Sequence, residues 1–147
     1  EVDERGAIDL DQLRNAVTPD TAVVSIMLAN NETGVTFPIA EAVEIVKRRS
    51  DALFHTDAVN AAGKMPINAA AWGLDLLSIS AHKFHGPKGI GALYVREGAP
   101  FPPMLFGGGQ ERGLRPGTEP VHQIAGIGAA AEYARDLSAM VRVREMR

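Results

Sequence analysis

Short apolar segments alternate with amphipathic segments along the chain, which predicts strands separated by helices. Four apolar segments predict strands, at residues 21–29, 52–56, 74–80 and 91–95. The first of them is apolar and rich in β-branched residues almost throughout, which is typical of a strand buried on both faces of a sheet.

Helix signals lie before, between and after these strands. Asp9 followed by Gln12 resembles a capping box and predicts a short helix to about Val17. Pro38 begins a second helix over residues 38–49, whose last turn carries basic residues that suit the helix dipole.

Two further helical segments complete the pattern. Asn68 caps a helical turn that Gly73 ends, and residues 123–147 predict one long final helix with no Gly or Pro stop. Strands that alternate with helices predict an α/β domain with a mostly parallel sheet. We expect a three-layer α/β/α arrangement, with helices on both faces of the sheet.

Composition and charge leave few other classes open. The 147 residues are 46% apolar and 22% charged, which is ordinary for a globular domain and excludes a disordered tail. A formal net charge of −3 gives no sign of a nucleic-acid partner, and no apolar segment is long enough to cross a membrane. The chain has no cysteine, so it offers neither disulfides nor thiolate metal sites. We expect a cytoplasmic protein because no secretory segment precedes the domain.

The ends of the chain suggest an internal piece of a longer protein. The first residue is Glu1 rather than Met, and the final predicted helix runs to Arg147. We therefore expect residues 1–147 to form part of one domain, with further sequence on both sides.

The residues that follow the predicted strands are candidates for a site, because ligands of parallel sheets bind beyond the carboxyl ends of the strands. Asn31 follows the first strand, where it serves either a turn or a hydrogen bond to a ligand. Asp57 follows the second, where it is either a helix N-cap or a carboxylate that faces a cationic ligand such as a pyridinium nitrogen.

Lys83 follows the third strand and is the one lysine that emerges from a predicted core strand. It is either a solvated loop lysine or an amine that can form a Schiff base. His82 and His85 have metal-ligand spacing, but without a third ligand nearby we predict no metal.

A glycine-rich segment at residues 107–118 contains no Walker sequence. Its backbone amides, Arg112, Arg115 and the Thr118 hydroxyl could bind an anion, whereas the alternative is a flexible linker. A carboxylate, a reactive lysine, an amide and anion-binding groups at one sheet edge together fit pyridoxal 5′-phosphate.

Four segments, residues 30–34, 55–58, 80–91 and 107–118, closely resemble the cysteine desulfurase and selenocysteine lyase family of the class V aminotransferase group. The Gly-Gly-Gly-Gln-Glu-Arg sequence resembles the branch that serves iron–sulfur cluster assembly. The resemblance implies the central part of the large domain of a fold type I pyridoxal phosphate enzyme, without its N-terminal part and its C-terminal small domain.

The resemblance also implies roles for individual residues. Lys83 and His82 would be catalytic, with Lys83 bound to the cofactor, and Asp57 would pair with the pyridinium nitrogen. Ser80 and His82 would bind the phosphate. Two asparagines would contribute as well: Asn31 would line the cofactor and substrate side, and Asn60 stands where the family usually has a glutamine that binds the ring hydroxyl. Thr118 would reach the phosphate of the neighbouring subunit in a homodimer.

The implied activity is removal of sulfur from L-cysteine to give L-alanine and an enzyme persulfide, which a sulfur-acceptor protein could receive. The family's substrate-binding arginine and sulfur-accepting cysteine lie in its downstream region, so we expect residues 1–147 alone to be inactive. Selenocysteine lyase, another pyridoxal phosphate aminotransferase or lyase, and a non-catalytic scaffold fragment remain alternatives.

Overall fold

A computed structural model describes residues 2–146 of the chain. The strands are β1 (Val23–Met27), β2 (Leu53–Asp57), β3 (Leu76–Ser80) and β4 (Gly91–Val95), and the helices are α1 (Leu10–Ala16), α2 (Ile39–Lys47), α3 (Val121–Tyr133) and α4 (Ser138–Glu145). Among these residues, no helix combines the length and the apolar character that a bilayer span requires.

The four strands form one sheet in the order β1-β2-β3-β4. β1, β2 and β3 are parallel, whereas β4 runs antiparallel to β3. The predicted α/β fold with a mostly parallel sheet is confirmed. The parallel register places Met27 beside Asp57 and Asp57 beside Ser78, so the carboxyl ends of three strands meet at one edge.

The main core lies between the sheet and the first two helices. Phe54 and Thr56 of β2 are fully buried, and the Thr56 hydroxyl donates to the Ile26 carbonyl oxygen at 2.8 Å. Asp9 caps α1 as predicted, because its carboxylate accepts hydrogen bonds from the amides of Asp11 and Gln12. The apolar face of α2 is buried against the sheet through residues Ile39, Ala42, Val43 and Val46.

The prediction that β1 is buried on both faces is wrong for this structure. Val24 and Ile26 pack against the core, but Val23 and Met27 on the other face are 54% and 38% exposed. β1 is an edge strand, and within residues 2–146 its second face is not covered. The apolar sequence of β1 therefore shows that both of its faces could be buried, although only one of them is covered within residues 2–146.

The prediction of one final helix is also wrong, because α3 and α4 are separate. The chain leaves the helical path between Tyr133 and Ser138, and the Asp136 carboxylate accepts a hydrogen bond from the Ser138 amide at 2.9 Å. This local bond competes with the helical ladder, as aspartate side chains commonly do. Arg147, the last residue of the predicted helix, lies outside the described residues.

A buried carboxylate joins the sheet to α2. Asp75 is fully buried, and it accepts hydrogen bonds from Lys47 Nζ at 2.5 Å and from the Phe54 amide at 2.7 Å. Arg96 donates to its other oxygen from Nε and Nη2, at 2.9 and 2.7 Å. Burial opposes ionisation of this group, but the bonds from Lys47, Phe54 and Arg96 outweigh it and hold the pKa of Asp75 below its ordinary value.

Candidate active site

A cavity of about 120 Å³ opens at the sheet edge where the parallel strands end. Residues from three separate segments of the chain line it: Met27, Ala29, Asn31, Asp57, Val59, Asn60 and Lys83. Four candidate residues from the sequence, two of them the proposed acid and amine, are thus brought together around one space. A larger, mostly apolar cavity lies elsewhere, near the start of α2, and contains none of them.

Lys83 reaches the cavity from a single 3₁₀ turn, Ala81–Phe84, that directly follows β3. Ala81 and Phe84 are buried and anchor the turn, while Lys83 is exposed at the cavity. The Ala81 amide donates to the Ile90 carbonyl oxygen at 3.1 Å, which closes the loop after the turn. Two buried anchors around an exposed amine fix the lysine backbone without enclosing its ammonium group.

Helix α3 holds the segment that follows Lys83. A Cβ at Gly126 would lie 2.5 Å from Pro87 Cγ, so only glycine allows this close approach of helix and loop. The Gln123 side chain donates to the Lys88 carbonyl oxygen at 3.1 Å. The lysine loop is therefore fixed from both sides, by the sheet and by α3.

Asp57 makes the capping bond that its sequence position predicted, whereas its role toward a cationic ligand stays a prediction. Its Oδ1 accepts a hydrogen bond from the Val59 amide at 2.8 Å, as an N-cap does, and the residue also lines the cavity. The cap restrains the carboxylate at the point where β2 ends. Asn31 donates its side-chain amide to Glu32 Oε1 at 2.7 Å while lining the same cavity.

Ser80 and His82 form a pair beside Lys83. The Ser80 hydroxyl and His82 Nδ1 are 2.8 Å apart and form a hydrogen bond. Ser80 ends β3 and His82 lies in the 3₁₀ turn with Lys83, although neither lines the cavity in the described part of the chain. Their binding of a phosphate stays a prediction.

Thr118 is not brought to this cavity. It is exposed in the glycine-rich segment, away from the residues that line the space around Lys83. That segment is ordered by Gln110, whose side-chain oxygen accepts a hydrogen bond from the Gly117 amide at 3.1 Å. A site for Thr118 on a neighbouring subunit stays a prediction.

A polar row crosses the open face of the sheet next to Asp57. The Ser25 hydroxyl lies 2.7 Å from His55 Nδ1, and the Ser78 hydroxyl lies 3.1 Å from His55 Nε2. Burial lowers the pKa of His55, and the negative charge of Asp57 partly offsets this effect. The row ties three strands together immediately before the residues that line the cavity.

Lys64 was missed by sequence reasoning, although it contacts Asn60 at the cavity. A helical turn follows β2, and Lys64 Nζ reaches back to the backbone oxygen of Asn60 at 2.7 Å and to its Oδ1 at 3.3 Å. Burial lowers the pKa of Lys64, and the charge of Lys83 lowers it further. The signal was its spacing of four residues from Asn60, which places both on one side of a helical turn.

Gly63 lets the turn that carries Lys64 pack against the turn that carries Lys83. Its φ is +74°, and an added Cβ would lie 2.8 Å from the Phe84 Cβ. We expect Gly63→Ala to lower the free energy of unfolding by about 2–3 kcal/mol, since backbone strain and a steric clash add. Urea unfolding of the protein measures this loss.

Gly98→Ala is the matched control for this prediction. Gly98 has a φ of +77°, but nothing lies within 4 Å of its added Cβ. Strain alone should therefore cost about 1–2 kcal/mol at Gly98. Equal losses at the two positions would show that the contact with Phe84 is not close.

Both the sequence and the fold of the chain match known proteins. The sequence profile described as "Aminotransferase class-V" matches residues 1–145. The chain belongs to the class V aminotransferase family. Members of this family are in general pyridoxal phosphate-dependent.

Relatives that resemble the chain at more than half identity include cysteine desulfurases. A cysteine desulfurase from Sinorhizobium fredii is 53% identical over 92% of this chain, which spans 35% of that relative. A solved NifS-like protein superimposes with a TM-score of 0.90 at 48% identity, over 94% of this chain and 38% of that one. A structure of SspA in complex with cysteine gives a TM-score of 0.85 at 41% identity, over 90% of this chain and 38% of that one. The chain therefore spans little more than a third of the proteins that it matches.

The residues around the cavity fit the cofactor of class V aminotransferases. Pyridoxal phosphate needs a carboxylate for its ring nitrogen, an amine for its aldehyde and donors for its oxygens. Asp57, Lys83 and Asn60 supply these three kinds of group at one cavity. The paired Ser80 and His82 add a hydroxyl and an imidazole beside the amine.

Proposed function

We propose that the chain is the central part of the cofactor-binding domain of a cysteine desulfurase, a sulfurtransferase that uses pyridoxal 5′-phosphate. The observation that carries the proposal is the single cavity that Asp57 and Lys83 both line at the carboxyl edge of the parallel strands. The cysteine desulfurases among the relatives, at more than half identity, support it.

Five residues would hold the cofactor within this chain. Lys83 Nζ would bind its aldehyde carbon, and Asp57 would keep its ring nitrogen protonated. Asn60 would meet the ring hydroxyl, and Ser80 with His82 would bind the phosphate. Asn31, which follows β1 at the same edge of the sheet, would line the cofactor and substrate side.

The bound cofactor supplies an electron-accepting ring that stabilises a carbanion at the substrate Cα. Lys83, once its amine is free, takes the proton from Cα as general base and returns it to the product. Asp57 would hold the ring nitrogen in its protonated form, and the positive charge there would draw electrons away from Cα. In the overall reaction the C–S bond of cysteine breaks, the sulfur joins a thiolate as a persulfide, and alanine is released.

The groups for the remaining steps would come from outside residues 1–147. The sulfur-accepting cysteine must do so, because this chain contains none. We propose that the full-length protein is a cytoplasmic homodimer in which Thr118 faces the neighbouring subunit's phosphate site. Its sulfur would pass to an acceptor protein for iron–sulfur cluster assembly or another sulfur-transfer pathway.

The experiment that tests the proposal measures alanine released by the full-length protein from L-cysteine. We expect turnover with L-cysteine in the presence of a thiol reductant, and no comparable turnover with L-aspartate or L-serine. Turnover confined to selenocysteine would instead assign a selenocysteine lyase. Amino transfer to a keto acid without sulfur release would assign an aminotransferase, and no binding of the cofactor would leave a scaffold.

A further inference from the structure

Lys64 holds both oxygen atoms of a single residue at the edge of the cavity. Its Nζ lies 2.7 Å from the backbone oxygen and 3.3 Å from the side-chain Oδ1 of Asn60. Asn60 itself lines the cavity that contains Asp57 and Lys83. Lys64 is not among the lining residues, so it contacts the site only through Asn60.

The chemistry of this contact fixes which way the Asn60 amide faces. An ammonium group has three donors and no acceptor, so it can pair only with the oxygen of an amide and never with its nitrogen. The oxygen of Asn60 is therefore turned to Lys64. Its NH₂ group makes no hydrogen bond to any residue between 2 and 146, which leaves two donors for the cavity.

We propose that Lys64 is a positioning residue that locks Asn60 as a hydrogen-bond donor to an anionic oxygen bound in the cavity. The inference rests on the proposed function, in which that oxygen is the ring oxygen of pyridoxal phosphate. Asn60 is shorter by one methylene than the glutamine expected at this position. Lys64 compensates by removing the rotational freedom of the amide, because a fixed donor loses less entropy when it binds.

The packing around Lys64 supports a fixed arrangement. The turn that carries it is closed by hydrogen bonds from the Lys64 and Met65 amides to the Ala61 carbonyl oxygen, at 2.9 and 3.2 Å. Gly63 packs this turn against Phe84, next to Lys83. Burial and the charge of Lys83 lower the pKa of Lys64, and the two oxygens of Asn60 accept hydrogen bonds that favour its ammonium group at this position.

A double-mutant cycle in the full-length protein tests the proposal, with Lys64→Met, Asn60→Ala and the pair. The readouts are the dissociation constant for pyridoxal 5′-phosphate and the absorption maximum of the bound cofactor as a function of pH. We expect each single variant to weaken binding about tenfold and to shift the absorption maximum, since a bond to a charged oxygen is lost or misdirected. The pair should be no weaker than Asn60→Ala alone.

Two further variants distinguish the positioning of Asn60 by Lys64 from the general effects of removing a lysine charge or of disturbing the fold. Lys64→Arg keeps donors for the Asn60 oxygen and should recover most of the affinity. Lys88→Met removes an exposed lysine that does not line the cavity, and it should leave both readouts unchanged.

Additive losses in the cycle would overturn the proposal, because Lys64 would then act without Asn60. An unchanged absorption maximum in Lys64→Met would overturn it as well. If the unmodified protein does not bind the cofactor through Lys83, the proposed function fails instead, which is a separate result.

Discussion

Lys83→Ala should abolish release of alanine from L-cysteine by the full-length protein, with a loss of at least about 10³-fold for a general base that also carries the cofactor. The reason is geometric, because Lys83 is the amine that lines the cavity with Asp57 in the described chain. The visible absorption of the bound cofactor should also change, since no covalent bond to the protein can form. Steady-state alanine release and absorption spectra measure the two effects.

Lys88→Ala is the control for the loss of a lysine in the same loop. Lys88 is exposed, lies five residues after Lys83 and does not line the cavity. It should retain activity and spectrum. Substantial cysteine turnover by Lys83→Ala would remove the basis for the proposed function, whatever the control shows.

Asp75→Asn should lower the free energy of unfolding by about 3–5 kcal/mol, the range found when one partner of a buried ion pair is removed. The substituted amide would turn a donor toward Lys47 or Arg96, both of which can only donate. Helix α2, strand β2 and Arg96 after β4 would lose their common anchor. Urea unfolding of the full-length protein measures the loss.

The surface pair between Arg48 and Glu44 gives the matched control for Asp75. Both side chains are exposed, at 79% and 68%, so Glu44→Gln should cost less than about 1 kcal/mol. A similarly small effect of Asp75→Asn would mean that the buried carboxylate is replaceable.

The pH dependence of stability should differ between the protein and Asp75→Asn. The pKa of Asp75 is lower in the folded state than in the unfolded state. The ionised carboxylate therefore makes its full contribution to the free energy of unfolding when the pH is above the pKa of the unfolded state, about 3.9. It is lost as the pH falls through the lower folded value. The stability difference between the two proteins should therefore shrink below about pH 4.

Local sequence signals predicted some elements closely. Asp9 begins α1, and Gly91–Val95 forms β4 with the predicted bounds. Candidate residues of the cavity could also be predicted from the sequence, because polar residues that follow apolar segments mark the ends of strands. This pattern predicts both Asp57 and Lys83 at strand ends, and the two residues line one cavity.

Features that depend on other parts of the chain were not predictable from local pattern. The apolar sequence of β1 cannot show whether both of its faces are covered, and Val23 is exposed here. The break before Ser138 depends on a single bond from Asp136 that competes with a helical pattern. Lys64 was missed because its role comes from a contact with Asn60 and not from any motif.

The contact between Gly126 and Pro87 distinguishes Gly126 from Gly128, the other glycine of α3, in how well each would tolerate a larger residue. An added methyl at Gly126 would meet Pro87 at 2.5 Å, whereas nothing lies within 4 Å at Gly128. A larger residue at Gly126 would push the loop of Lys83 away from the helix. A larger residue at Gly128 would leave that loop in place. Gly126 therefore sets the distance between α3 and the loop that carries Lys83, whereas Gly128 has no such constraint.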